Sequence, residues 1–418
     1  MAKLMISFLG TGKYETGQYG FSPEQKHTGR FVQTALAALL KPDRVIVMVT
    51  QAARARNWEG PDGLAATAAR ELSSMVFREQ LIPEGKTEDE FWQIFETLVA
   101  KVGPEDEVIF DVTHSFRSIP LIAIASLQYI RVLHPSVRVS GVYYGAWEAR
   151  DASCEPPFAP LLDLTSFITL MDWSSAVSDY QNFGNVTALK KLLDGEALPR
   201  KKATRGKDEE AHLLHRLGQT LQAVSANIAT CRGIEIASRR PWVDVQELIE
   251  GLKQGPNTVT ALSPLLDRIQ AKVDQLQGPD VGLSDEVRRG FGAVQWCLEH
   301  DLIQQAYTLL QENIVTWVCQ QTGLNQQDRG DRSFAAMALG LWKTPEEHWR
   351  DEAKKRPDEV RRTLRMTPQE LLQIYDPLKT LRNDLNHAGT VECYDAKKVL
   401  ARIHEIFGQM QRILASRF

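Results

Sequence analysis

The 418-residue sequence predicts an α/β Rossmann-like domain at the N-terminus followed by an all-α helical region. Three observations predict this. Short runs rich in β-branched residues alternate with helical stretches as far as about residue 165. The connections between successive runs are long enough for helical crossovers, which makes the sheet parallel and covers it on both faces. Beyond Leu164 the strand signal fades, and amphipathic helix accounts for nearly all the remaining sequence.

The elements follow in order. Leu4 to Leu9 is an apolar run closed by Gly10-Thr11-Gly12. Helical spacing runs from His27 to Leu40, where Pro42 ends it. Val45 to Val49 reads as a strand buried on both faces. Leu64 to Arg78 and Glu88 to Val102 read as helices, the second opened by Thr87 with Glu90 three residues on, a capping box. Val108 to Val112 is a further buried strand, Ile119 to Leu133 a helix, and Val137 to Tyr144 an alternating strand. The later helices break at Pro199 to Gly206, Gly278 to Gly282, Gly323 to Gly330 and Pro357. The basic stretch Leu198 to Lys207 reads as a solvated loop.

Composition narrows the function. A hydrophobic share of 43% with 24% charged residues is globular and excludes large disordered or collagenous architectures. Lys+Arg 49 against Asp+Glu 53 leaves net −4, so nucleic-acid chemistry must come from local sites rather than a bulk positive field. The five cysteines form no C-x-x-C pair, which argues against a zinc ribbon or a disulfide framework; Cys297 and Cys319 fall in apolar helical patterns as small buried hydrophobes. No apolar run reaches the roughly 18 residues of a membrane span, and the N-terminus shows no signal-peptide pattern. The expectation is a cytoplasmic protein of a reduced compartment, with no membrane partner.

Three segments can carry chemistry. Gly10, Thr11, Gly12 and Lys13 follow the first strand, where a glycine-rich turn either lets backbone N–H groups approach a phosphate or simply reverses the chain. The turn fails the dinucleotide fingerprint at Glu15 and the phosphate-loop fingerprint at Tyr14, which disfavours a dehydrogenase or kinase. Thr113, His114, Ser115, Phe116 and Arg117 lie between a strand end and a helix start, the ligand crevice of open α/β sheets. Arg117 offers a planar fork for phosphate there, unless it lies in solvent while Ser115 or Ser118 caps the helix. Trp147, after the fourth strand, is either core or a platform near the same crevice. Late in the helical half, Arg382, Asn383, Asp384, Asn386 and His387 cluster before Gly389, a costly polar set for a helix end. An offset of five residues is about 140° of helical rotation, so Arg382 and His387 converge only at a frayed end or across a cleft shared between subunits.

Together these residues resemble the CRISPR-associated CARF–HEPN family, the accessory ribonucleases of type III systems. The resemblance rests on Phe8 to Tyr14, on Asp111 to Arg117 and on Arg382 to His387. The second is the most specific, with Ser115 where the family often has Gly, and the third fits the HEPN spacing of Arg, four to six residues, His. It implies a CARF sensor over 1–180, a helical middle over 181–290 and a HEPN domain over 291–418. It further implies a homodimer, or a higher assembly of dimers, whose paired sensors bind a cyclic oligoadenylate, more often the tetra-adenylate, between Gly10 to Lys13 and Thr113 to Arg117. Binding would allosterically assemble both copies of Arg382, Asn383 and His387 into one groove that cuts single-stranded RNA, in antiviral defence. His387 would move the proton, Arg382 hold the phosphate and Asn383 orient either group; no metal or other cofactor is implied. A regulator whose HEPN domain only dimerises, or a ring nuclease that cleaves its own ligand, fits the same residues.

Overall fold

The computed structural model describes residues 2–114, 119–238, 240–255, 262–279, 282–390 and 393–416. The chain divides into two compact units, Met1–Thr169 and Leu170–Phe418.

The first unit runs β1 (Lys3–Leu9), β2 (Gly17–Gly20), β3 (Lys26–Gly29), α1 (Val32–Leu40), β4 (Arg44–Val49), α2 (Gln51–Ala53, continuing as a π-helical turn Arg54–Trp58), α3 (Leu64–Glu71), β5 (Val76–Leu81), α4 (Glu88–Lys101), β6 (Glu107–Asp111), α5 (Ile119–Leu133), β7 (Arg138–Gly145) and β8 (Phe158–Asp163). The strands form one sheet in the order β3-β2-β8-β7-β6-β1-β4-β5. From β7 to β5 all neighbours are parallel, whereas β8 runs antiparallel to β7 and β3 antiparallel to β2. Alternate residues of β1 serve opposite faces, as the pleat requires. Leu4, Ile6 and Phe8 pack with Leu98, Leu127 and Ile130 beneath α4 and α5, while Met5 and Leu9 pack with Val32 and Leu36 of α1. The chain leaves β1 for β4 and β5 on one side and returns to β6 and β7 on the other, so the topological switch point lies between β1 and β6.

The sequence reading missed four of these strands. The helix expected from His27 begins at Val32, because His27 lies in the short hairpin of β2 and β3. The helix expected over Leu64 to Arg78 stops at Glu71, and Val76 to Leu81 pairs with β4 as an edge strand, none of whose residues is fully buried. The capping expected at Thr87 is present, its hydroxyl accepting from the Glu90 N–H at 3.2 Å. Glu90 turns its carboxylate to the N–H of Lys86 rather than to that of Thr87.

The second unit is helical: α6 (Thr165–Phe183) crosses its boundary, followed by α7 (Thr187–Ala203), α8 (Glu209–Ala229), α9 (Gly233–Ala237), α10 (Arg240–Lys253), α11 (Ser263–Asp274), α12 (Asp285–Glu299), α13 (Ile303–Thr322), α14 (Arg329–Leu339), α15 (Asp351–Lys354), α16 (Pro357–Met366), α17 (Gln369–Asn386) and α18 (Ala396–Ala415). One apolar core runs through it from Trp173 on α6 to Leu414 on α18. The division expected between residues 290 and 291 falls inside α12, where the helix is unbroken and buried in that shared core. The boundary expected at residue 180 lies instead after Thr169, and both positions are within α6. The loop expected over Leu198 to Lys207 is helical as far as Ala203. Pro199 is tolerated there because the carbonyl it leaves without a donor belongs to exposed Gly195, where water can serve it. Arg200 then fastens the helix end by ion pairs at 2.9 Å to both Asp208 and Glu210. Among the described residues, no helix is long and apolar enough to cross a membrane.

Candidate functional site

The ends of β1 and β6 enclose a cavity of about 320 Å³ at the switch point. Gly10, Thr11, Gly12 and Lys13 border it from one side and Thr113 and His114 from the other, with Thr50 and Ile82 also on its walls. Six of the nine residues expected to bind a ligand are thus brought together. Ser115, Phe116 and Arg117, the other three, lie outside the described residues.

Local hydrogen bonds fix the glycine turn. The Gly10 N–H donates to the Tyr14 hydroxyl at 2.9 Å, closing the loop upon itself. Asn57 then donates its side-chain amide to the carbonyls of both Gly10 (2.8 Å) and Gly12 (3.0 Å). Asn57 is buried in the π-helical turn after α2, a rare backbone form that concentrates at functional sites. Sequence reasoning missed this residue, since it reaches the loop across 47 positions with no local pattern to mark it. Lys13 stays exposed, its ammonium in a 3.2 Å surface pair with Glu15 that a stronger anion can replace.

The opposite wall is built on Asp111, which is fully buried. Its carboxylate accepts from the Ser7 hydroxyl (2.5 Å) and from the hydroxyl and N–H of Thr113 (2.5 and 3.0 Å). The Thr113 oxygen in turn accepts the Gly145 N–H at 2.8 Å, so this hydroxyl joins the ends of β6 and β7. Thr113 therefore lines the cavity with its hydroxyl already engaged. His114 presents its ring edge to Tyr14, with centroids 4.6 Å apart at 76°. Burial holds its imidazole below the ordinary histidine range, against the opposing pull of the Asp111 and Glu148 carboxylates. Its Nε2 is buried and has no hydrogen-bond partner among the described residues. A neutral imidazole nitrogen, a cationic Lys13 and a rigid glycine turn suit an anionic, hydrogen-bonding ligand. Trp147 leans on Tyr19 at 5.8 Å and carries the Arg150 guanidinium over its ring at 4.9 Å; it is not among the cavity walls.

The second expected site lies at the end of α17. Leu378 and Leu381 bury one side of the helix in the core. Arg382 is half-buried: it donates to the Asn383 side-chain oxygen at 3.2 Å and faces the Glu312 carboxylate of α13 at 3.6 Å. His387 is the exposed C-terminal cap, and its N–H donates to the Asn383 carbonyl at 2.9 Å. The helix is not frayed between them, and among the described residues no hydrogen bond joins Arg382 to His387. Glu312 was not singled out from the sequence, although Gln311-Glu312-Asn313 is a polar interruption in an otherwise apolar stretch of α13. Among the described residues, no group of three or more His, Cys, Asp or Glu is placed to hold a metal ion.

Comparison with known proteins adds a match for the first unit. Residues 4–148 match the family described as CRISPR system endoribonuclease Csx1, CARF domain. CRISPR-associated protein MJ1674 of Methanocaldococcus jannaschii is 23% identical over 244 residues, 58% of this chain and 34% of that protein. The aligned part thus spans about a third of the relative's length. The structure of Enterococcus italicus Csm6 bound to cyclic hexa-2′-fluoro-hexa-dAMP aligns with all of this chain and 95% of its own, at 13% identity and a TM-score of 0.43. The switch-point cavity lies within residues 4–148, the segment that is similar to the Csx1-type CARF domain.

Proposed function

We propose that the chain is an accessory effector of type III CRISPR defence, a metal-independent RNA endonuclease switched on by a cyclic oligoadenylate. The observation that carries the proposal is the switch-point cavity, with its pinned glycine turn facing the unpartnered His114 Nε2 inside a Csx1-type CARF domain. The phosphates of the ring would lie along Gly10 to Lys13, and an adenine or a 2′-hydroxyl would meet His114. The ring is the tetra-adenylate in this reading, and the protein acts in the cytoplasm.

The helical unit would supply the cutting centre, a HEPN-type pair of copies in a homodimer. The ribose 2′-oxygen attacks the adjacent phosphorus as the bond from phosphorus to the 5′-oxygen breaks, giving a 2′,3′-cyclic phosphate and a 5′-hydroxyl. His387 would take the 2′-hydroxyl proton or return one to the leaving 5′-oxygen, and its exposure at the helix cap leaves it open to substrate. Arg382, aligned through Asn383, would stabilise the charge growing on the phosphate oxygens. Support for a dimer comes from α5, which is apolar on two sides. Ala123, Leu127 and Ile130 face the core, whereas Leu121, Tyr129 and Val132 are exposed, Leu121 by 72% and Val132 by 78%.

A ring-binding regulator or ring nuclease with a non-catalytic helical domain has one observation in its favour, that Arg382 lies in ion-pair range of Glu312, which competes with a phosphate for it. Cleavage of a fluorescent single-stranded RNA in EDTA, with and without cyclic tetra- and hexa-adenylate, separates the readings. Ring-dependent cleavage that disappears in His387→Ala, while ring binding by calorimetry survives, is the expected result. Undiminished cleavage by His387→Ala defeats the site assignment, and ring binding without cleavage by the wild type selects the regulator.

A further inference from the structure

We propose that Arg332 and Arg382 together form a phosphodiester-binding pair for single-stranded RNA, and that Glu312 is its built-in counter-ion, which yields its Arg382 side to the incoming phosphate. This rests on the ribonuclease reading and extends it to a residue pair outside the Arg382–His387 segment.

The three side chains are held unequally. Glu312 Oε2 accepts from Arg332 at 2.7 Å, a full charge-assisted hydrogen bond. Its Oε1 lies 3.6 Å from Arg382, inside ion-pair range and beyond hydrogen-bond range. Arg332 is otherwise fixed: it donates to the Thr316 hydroxyl (2.9 Å), the Gln326 carbonyl (3.1 Å) and the Glu312 carbonyl (3.1 Å). Arg382 has donors to spare, for its Nε is buried without a partner among the described residues and the Asn383 contact occupies a single N–H. A carboxylate gripped hard on one side and loosely on the other is arranged to exchange on the loose side.

Access and space agree with an anion arriving here. Both arginine side chains are 25% exposed and Glu312 is 45% exposed, so the trio meets solvent. Glu312 and Arg332 border a cavity of about 580 Å³, with Thr316, Gln326 and Gln327 among its polar walls. That volume is within the range of small-ligand sites, roughly 300–1,000 Å³. Glu286 also borders the cavity, its carboxylate held by the side-chain amides of Gln320 and Gln326, so two carboxylates balance the two guanidinium groups. A phosphodiester that replaces Glu312 at Arg382 takes over its single negative charge. Without RNA the carboxylate keeps the two cations from repelling each other; with RNA it competes with the substrate and sets how tightly a phosphate must bind to displace it.

The test is fluorescence anisotropy with a labelled, 2′-O-methylated single-stranded RNA, which binds without being cut, on the full chain. Glu312→Gln should tighten binding about three- to fivefold at low salt, the size of a partly exposed charge contact, with the gain fading at high salt. Glu312→Asp keeps the charge and should bind as the wild type does. Arg332→Gln should weaken binding and flatten the salt slope by about one unit. In the cleavage assay, KM should fall in Glu312→Gln by the same factor. Thermal melting of each variant separates loss of fold from loss of charge. Wild-type affinity in both Glu312→Gln and Arg332→Gln overturns the inference. Tightened binding in Glu312→Gln alongside a wild type that never cleaves would defeat the ribonuclease reading and leave the RNA-binding pair standing.

Discussion

His114 makes the candidate ligand site pH-sensitive in a direction that follows from its burial. In the unfolded chain a histidine titrates near 6.5, and in the fold burial keeps this one below that value. Between the two the unfolded state binds more protons. Stability is therefore full above about pH 6.5 and falls as the pH drops toward the folded-state value, by at most about 1.4 kcal/mol per pH unit. A series of thermal melts between about pH 5 and 8 should show this limb, and His114→Phe should flatten it. A polyanion beside His114 favours its protonated form, so ring affinity should rise as the pH falls through the same interval, with proton uptake visible by calorimetry in two buffers. Asn57 gives a second test. In Asn57→Asp a carboxylate oxygen replaces the amide that serves the Gly10 and Gly12 carbonyls, setting acceptor against acceptor. The expected cost is about 1–3 kcal/mol in urea denaturation, with weakened ring binding. Neither role was legible in the sequence beyond the presence of His114 in a polar cluster. Asp111 and Asn57 act through contacts between β-strand ends and a crossover turn, and only the folded sheet brings those together.

The elements show what local pattern conveys and what it does not. The buried strands β1, β4, β6 and β7 and the helices α4 and α5 were legible within a residue or two, because β-branched runs and the Thr87 cap are local signals. The strands β2, β3 and β8 have 4, 4 and 6 residues and take their shape from pairing rather than composition, so no run of residues announces them. The polar segment from Arg382 to His387 was legible as the end of a helix, and its closure makes a prediction at this scale. Ala388 (φ 54°) and Gly389 (φ 64°) both adopt the left-handed conformation, and the Gly389 N–H closes α17 on the Asp384 carbonyl at 2.9 Å. A Cβ is strained at such a φ, so Gly389→Ala should cost about 1–2 kcal/mol, whereas Ala388→Gly should gain about 0.5–1 kcal/mol. Urea denaturation measures both. Gly389→Ala should also depress RNA cleavage, since His387 directly precedes this left-handed pair, and cleavage at the wild-type rate would show that the cap does not position His387.

At the scale of the whole molecule, the decisive question is whether two copies meet through α5. A helix buried on one side needs one apolar stripe, and the residues Ala123, Leu127 and Ile130 supply it. Leu121, Ala125, Tyr129 and Val132, spaced four, four and three residues apart, form a second stripe that faces solvent in the single chain. Phe95 and Trp92 of the neighbouring α4 extend it, with ring centroids 5.3 Å between Phe95 and Tyr129 and 5.7 Å between Trp92 and Phe95. Leaving so many large side chains in water is unfavourable at roughly 25 cal/mol per Å² of apolar surface, and a two-fold axis lets one such stripe cover its own copy. A ring-shaped ligand with even numbers of adenylates has matching two-fold symmetry, so an interface through α5 would bring two switch-point cavities to one ligand. The double variant Leu121→Glu/Val132→Glu should convert dimers to monomers in light scattering at micromolar protein. Each monomer keeps its own cavity residues, so the loss expected in ring affinity, about tenfold or more, would measure what the second copy contributes. A double variant that stays dimeric would place the interface elsewhere, and one that becomes monomeric yet binds the ring as tightly as the wild type would show that a single copy suffices for the ligand.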